Sequence, residues 1–128
     1  MPRVSAAFFL FGALCVLTGM FWGMHMGASE NFQLAPAHAH LNLLGWVTMA
    51  LYGTFYALTA QTISRRLAWT NFLLSAVGGL VMIPSLAAFL ASGNKGLIPI
   101  MVVGEVLTVL GLLTFLISVW REFFRNRA

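Results

Sequence analysis

The sequence predicts an all-α integral membrane protein, a single bundle of four transmembrane helices with both termini in the cytoplasm. Three observations lead there. Of the 128 residues, 60% are hydrophobic and only 8% are charged, against about 25% charged in an ordinary globular domain. The apolar residues gather in four runs, each near the roughly 20 residues that a helix needs to cross a bilayer. The breaks between the runs carry turn or polar chemistry.

The first run covers residues 4–26 and stops at Ser29-Glu30-Asn31. Arg3 ahead of it and small residues near Ala28 give it some look of a signal peptide. The run is long for that role, so a retained helix is expected. Cys15, the only cysteine, lies inside it. A single cysteine excludes an intrachain disulfide framework and reads as a small packing residue. The second run covers residues 37–60, with Pro36 expected to separate it from the first. The third covers residues 67–91, after a polar stretch from Gln61 to Arg66, and contains Gly78-Gly79 and Pro84. Pro84 should kink the helix or free a carbonyl. The fourth covers residues 97–120, after Ser92-Gly93-Asn94-Lys95-Gly96. Pro99 falls near its start, where proline is tolerated. The links are short, so consecutive helices should be antiparallel neighbours.

Orientation follows from the basic residues. Arg3, Arg65, Arg66, Arg121, Arg125 and Arg127 fall on one side and Lys95 alone on the other. The arginine-rich side is therefore expected to be cytoplasmic, and the protein to sit in the inner (cytoplasmic) membrane. Trp22, Trp69 and Trp120 lie near span ends, as interfacial anchors do. Trp46 lies within the second span and reads as packing. The formal charge of +4 comes from helix ends and forms no patch, so nucleic acid is not an expected partner.

The chemistry concentrates at His38-Ala39-His40, at the start of the second run. A histidine in a membrane span is a functional-site candidate by default. At about 100° per helical residue, two histidines at i, i+2 point to nearly opposite sides of one helix. Neutral imidazole suits haem iron or copper. The bland alternative is a polar helix cap with snorkelling side chains. The stretch continues Leu41-Asn42-Leu43-Leu44-Gly45-Trp46-Val47-Thr48-Met49-Ala50-Leu51-Tyr52-Gly53. Small residues such as Gly45 let a helix or a flat macrocycle approach the backbone closely.

The stretch AHAHLNLLGWVTMALYG resembles the main subunit of the haem-copper oxidase superfamily, which includes the nitric oxide reductases. The resemblance is to the helix of that subunit with a His-x-His motif, whose two histidines bind two haems on opposite sides. It covers about one span of four. It implies haem b as cofactor, with His38 and His40 as iron ligands and Gly45 in the haem wall. The family's core has twelve helices in three quasi-repeated arcs of four, with haem ligands on the second helix of each arc. This chain matches one arc. The resemblance therefore implies a homotrimer, with His38 of one subunit and His40 of the next on a shared haem. The expected role is electron transfer or a related redox function. With three histidines and no His-His pair, the chain lacks the ligands for the family's binuclear reductase site. No catalytic residue is assigned.

Two polar features stand apart. Met24-His25-Met26 pairs thioethers with imidazole, a combination that suits copper(I), though methionine also fills cores. His25 reads as an interfacial residue, a contributor to the haem pocket, or a metal ligand. Glu105 is the only acid well inside a span. It reads either as a proton relay or hydrogen-bond partner of a ligand histidine, or as a protonated carboxyl bonded to a neighbouring helix. The rival functions are a copper or small-molecule transporter, with these histidines and methionines at its outer mouth, and a non-catalytic assembly subunit.

Overall fold

The computed structural model describes residues 1–125, so Arg127 lies outside the described residues. The described residues are helical, with no strand, and four helices are long and apolar enough to cross a membrane. Helix α1 spans Arg3–Ser29, α2 spans Ala35–Leu58, α3 spans Arg65–Ser92 and α4 spans Ile98–Phe123. A short 3₁₀ turn, Lys95–Leu97, leads into α4.

Pro36 does not separate α1 from α2. It sits in the first turn of α2, where its missing N–H is not needed. The link is made instead by Glu30, which ends α1 in the left-handed conformation at φ 52°. Gln33 ties this link to the far end of α3 by donating to the Leu90 carbonyl at 2.9 Å. Gly93 ends α3 at φ 67°, a conformation in which glycine carries no Cβ penalty. Pro84 does not interrupt α3, which runs through it as one element. Proline cannot donate to the carbonyl four residues back, so the Leu80 carbonyl loses its helical partner. One residue on, the Ser85 hydroxyl bonds the Val81 and Met82 carbonyls at 2.7 and 2.8 Å.

Helix α2 changes character within its length. Ala35–His40 is α-helical, Leu41–Thr48 forms wider π turns, and Met49–Leu58 is α-helical again. A hydroxyl records the difference. Thr18, Thr54 and Thr108 each donate to the carbonyl four residues back. Thr48 donates to Leu43, five residues back, at 2.8 Å. π segments are rare and often mark functional positions. This one begins directly after the His-x-His.

The core lies toward the arginine-rich end. Phe8 of α1 is fully buried between Tyr52, Tyr56 and Phe72, with ring centroids 5.6, 5.7 and 5.1 Å away. Phe115 of α4 reaches the same cluster, 4.5 Å from Tyr52. A hydrogen-bonded chain runs through it. Ser75 donates to Asn71 Oδ1 (3.0 Å), Asn71 Nδ2 to the Tyr56 hydroxyl (3.1 Å), and Tyr56 to Ser118 (3.2 Å). It joins α3, α2 and α4 through side chains that a dry interior makes costly to leave unpaired. Replacing Asn71 with leucine is expected to lower stability by about 1–2 kcal/mol, measurable as a shift in the midpoint of unfolding by sodium dodecyl sulfate.

Helices α3 and α4 meet almost backbone to backbone. A Cβ at Gly104 would lie 2.5 Å from the Met82 nitrogen, and one at Gly78 would lie 2.7 Å from the Thr108 nitrogen. Small residues at such a seam let dispersion and backbone contacts replace side-chain interdigitation.

Candidate functional site at the start of α2

His38 and His40 leave α2 in different directions, as their spacing predicts. His38 is partly buried against α1, whereas His40 is exposed. Along this contact the two helices run antiparallel in close register. Gly12 meets Trp46, Gly19 meets Asn42, and a Cβ at Gly23 would lie 3.0 Å from His38 Nε2. The glycines of α1 thus clear the space that the His38 ring occupies. Trp22 closes the pocket edge-on, 5.9 Å from His38 between ring centroids.

The hydrogen bonds fix where each ring holds its proton. His38 Nε2 lies 2.9 Å from the Gly19 carbonyl. A carbonyl only accepts, so the proton is on Nε2 and the lone pair of the neutral ring is on Nδ1. Asn42 also reaches this nitrogen, at 3.2 Å. Its Oδ1 is buried, lies against Gly19, and has no hydrogen-bond partner. An amide oxygen turned toward Nε2–H would meet the donor that it lacks. In His40, Nδ1 lies 2.7 Å from the Pro36 carbonyl, one turn back on the same helix. That bond places the proton on Nδ1 and the lone pair on Nε2. A carbonyl-bound Nδ1–H is the usual support of a histidine that ligates metal through Nε2.

The remaining candidates are distributed. His25 is exposed and lines a separate cavity of about 100 Å³ with Trp22, Met26, Ser29 and Gln33. Met24 is 69% exposed and Met26 only 7%, so the two thioethers do not converge on His25. Gly45 is buried against α1 and also borders a small apolar cavity. A Cβ there would lie 2.9 Å from Cys15 Cβ, so its small size serves helix packing. Cys15 fills that contact and borders a cavity of about 80 Å³ with Leu41, Leu80 and Pro84. Tyr52 and Tyr56 are core residues, and Trp46 packs on Gly12.

Glu105 stands on an outer face of its helix. It is exposed on α4, with Val102, Val103, Val106 and Val109 around it, while Gly104 and Thr108 face α3. Among the described residues it has no hydrogen bond or ion pair to a histidine or to a neighbouring helix. The readings of Glu105 from sequence did not fix which face of α4 it occupies. The side chain leaves α4 about a quarter turn from the side that Gly104 and Gly111 press on α3, and it is exposed.

Two polar residues of the interior had not been singled out. Asn42 stands four residues after His38, the spacing at which helical side chains meet. Asn71 stands four residues before Ser75 and carries the hydrogen-bonded chain of the core. In both cases the available signal was an amide inside an apolar run.

Comparison with protein families, curated proteins and solved structures finds no match. The resemblance of the His-x-His stretch therefore rests on its own residues. Whether those residues fit a haem is decided by the rings. His40 fits an axial ligand as it stands, since it is exposed with its lone pair on Nε2. His38 fits after releasing the Gly19 carbonyl, or through Nδ1. Gly45 borders the small apolar cavity beside Cys15, of about 80 Å³. Among the described residues no group of three or more His, Cys, Asp or Glu is placed to hold a metal ion. A site made of one imidazole from each of two copies would leave no such group within one chain.

Proposed function

We propose that this chain is a membrane haem b-binding protein with an electron-transfer or related redox role. It resembles one four-helix arc of the haem-copper oxidase core. The haem is held between subunits of a homotrimer, by His40 of one copy and His38 of the next. The observation that carries this reading is the state of His40. An exposed imidazole on an apolar helix, its Nδ1 proton tied to Pro36, keeps its Nε2 lone pair available to a partner outside the chain. When bound, a b-type haem supplies a one-electron ferric–ferrous couple. Imidazole on both faces of the iron leaves no position for a substrate, which favours electron transfer over gas chemistry. Within the chain, the Pro36 carbonyl orients His40, and Gly19, Gly23 and Trp22 form the pocket of His38.

The arginine distribution supports an inner-membrane orientation with both termini cytoplasmic. The histidines then lie toward the outer leaflet. Oligomerisation is supported by α4. It is the most apolar of the four helices and has the smallest buried share, yet it carries Glu105 outward. A carboxylate facing lipid is costly. Glu105 and His40 both lie within roughly two turns of the helix ends at the same side of the bundle. A neighbouring subunit would give the carboxyl a polar surrounding there. Glu105→Leu is expected to weaken the trimer by about 1–2 kcal/mol per interface, while Glu105→Gln keeps a hydrogen-bonding group and should hold it. Native mass spectrometry of the detergent-solubilised protein reads the difference.

The function itself is tested by absorption spectra of the purified protein, oxidised and dithionite-reduced. The expected result is a Soret band with sharp bands on reduction. A colourless protein from cells with ample haem would overturn the proposal. The copper reading gains nothing from the geometry, because Met24 and Met26 part around His25.

A further inference from the structure

We infer that the arginine-rich end of the bundle holds a binding site for the headgroup of an anionic phospholipid, between the first turns of α1 and α3. The site is a cavity of about 510 Å³ lined by Met1, Pro2, Arg3, Val4, Arg65 and Trp69. Arg3 opens α1 and Arg65 opens α3, so two guanidinium groups from different helices border one space. No acid lines it. Among the described residues neither arginine has a salt bridge, the one present being Arg125 to Glu122.

A second basic cavity at the same end makes the contrast. It is about 140 Å³ and lined by Arg121 and Arg125 together with Glu122. Glu122 lies 3.5 Å from Arg125 and accepts a hydrogen bond from Thr62 at 2.8 Å. Its carboxylate already neutralises one guanidinium and would repel an incoming anion. The Arg3–Arg65 cavity has no such counter-ion. Arginine presents a fork of donors that matches phosphate oxygens.

The surroundings select a lipid over a soluble phosphate. Trp69 borders the cavity and is 40% exposed, as an indole at a membrane interface would be. Beyond it on α3, Leu73, Val77 and Leu80 are exposed at helical spacing. On α1, Leu10, Leu14 and Leu17 are exposed at positions that share the face of Arg3. A cationic pocket at the mouth of two aliphatic stripes accommodates a phosphodiester with its acyl chains below. Basic pockets between helices are a recurring way to bind anionic lipid.

The protein in nanodiscs of phosphatidylcholine, doped with brominated phosphatidylglycerol or brominated phosphatidylcholine, tests this by quenching of tryptophan fluorescence. Trp69→Phe identifies the signal from the site. The glycerol lipid should quench Trp69 at about thirtyfold lower mole fraction than the choline lipid, at roughly fivefold per arginine. Arg3→Gln with Arg65→Gln should remove that preference. Arg3→Lys with Arg65→Lys should keep most of it, which separates loss of the site from loss of the fold. Arg121→Gln with Arg125→Gln removes the same charge at the other cavity and should leave it intact. Equal quenching by both lipids would overturn the proposal. So would an equal loss in the Arg121/Arg125 variant, which would show a general surface potential. Abolition of the preference by millimolar inorganic phosphate would overturn the lipid assignment in favour of a soluble anion.

Discussion

His40→Ala is expected to remove the Soret band of the purified protein completely while leaving the bundle folded. The His40 ring is exposed, and among the described residues it bonds only Pro36 in the first turn of its own helix. Little tertiary structure depends on it, so loss of haem in this variant reports ligation and not unfolding. His38→Ala should also lose the low-spin spectrum, but with a structural signature. It deletes the bond to Gly19 that links α2 to α1 and leaves Asn42 without its ring neighbour. A stability loss of about 1 kcal/mol should accompany it. The two variants are thus separable by pairing the optical spectrum with a denaturation midpoint. A double variant that kept the full low-spin spectrum would rule out both residues as ligands.

The largest effect on stability is expected at Gly104. Even alanine would place its Cβ 2.5 Å from the Met82 nitrogen and 2.7 Å from its Cα. Those are backbone atoms of the facing helix, so no rotamer change relieves the contact, and α3 and α4 must move apart. Gly104→Ala should cost about 3 kcal/mol, the upper part of the range for overpacked interiors. Gly104→Leu should cost more and leave little folded protein. Gly27→Ala is the control. A Cβ there meets nothing within 4 Å, so the substitution should be neutral or stabilising by up to about 1 kcal/mol. Thermal aggregation in detergent, followed for the three variants together, gives the comparison. A Gly104→Leu protein as stable as Gly27→Ala would contradict the backbone contact between α3 and α4.

The four helices were legible because each is apolar over nearly its whole length and the breaks between them are polar. That same uniformity hid the faces. A helix apolar on all sides carries little periodic signal, so nothing in the sequence said which way Glu105 points. The split between His38 and His40 was readable from spacing alone, since two residues apart fixes opposite directions on any helix. The π turns were not. They coincide with the stretch in which Gly45 is pressed on Cys15, and local propensity does not specify such contacts. Gly45 shows how little a small residue says by itself. A small residue announces a close approach but not the identity of what approaches, and here it is another helix. Pro36 shows a similar limit. Its meaning as breaker or first-turn residue depends on which backbone amides already have partners.

The outward carboxyl of α4 also bears on how the chain is made. A translocon weighs each segment as it emerges, before any partner helix is in place. An acid near the middle of a segment adds about 3 kcal/mol to that cost, and each leucine, isoleucine or valine returns about 0.3–0.6. The segment Lys95–Phe123 carries Glu105 and also has the highest mean hydropathy of the four, 2.4. Its valines and leucines outweigh the acid, so the segment commits to the bilayer alone. In the proposed trimer the chain would thus deliver a polar group into the membrane first and supply its surroundings afterwards, when subunits meet.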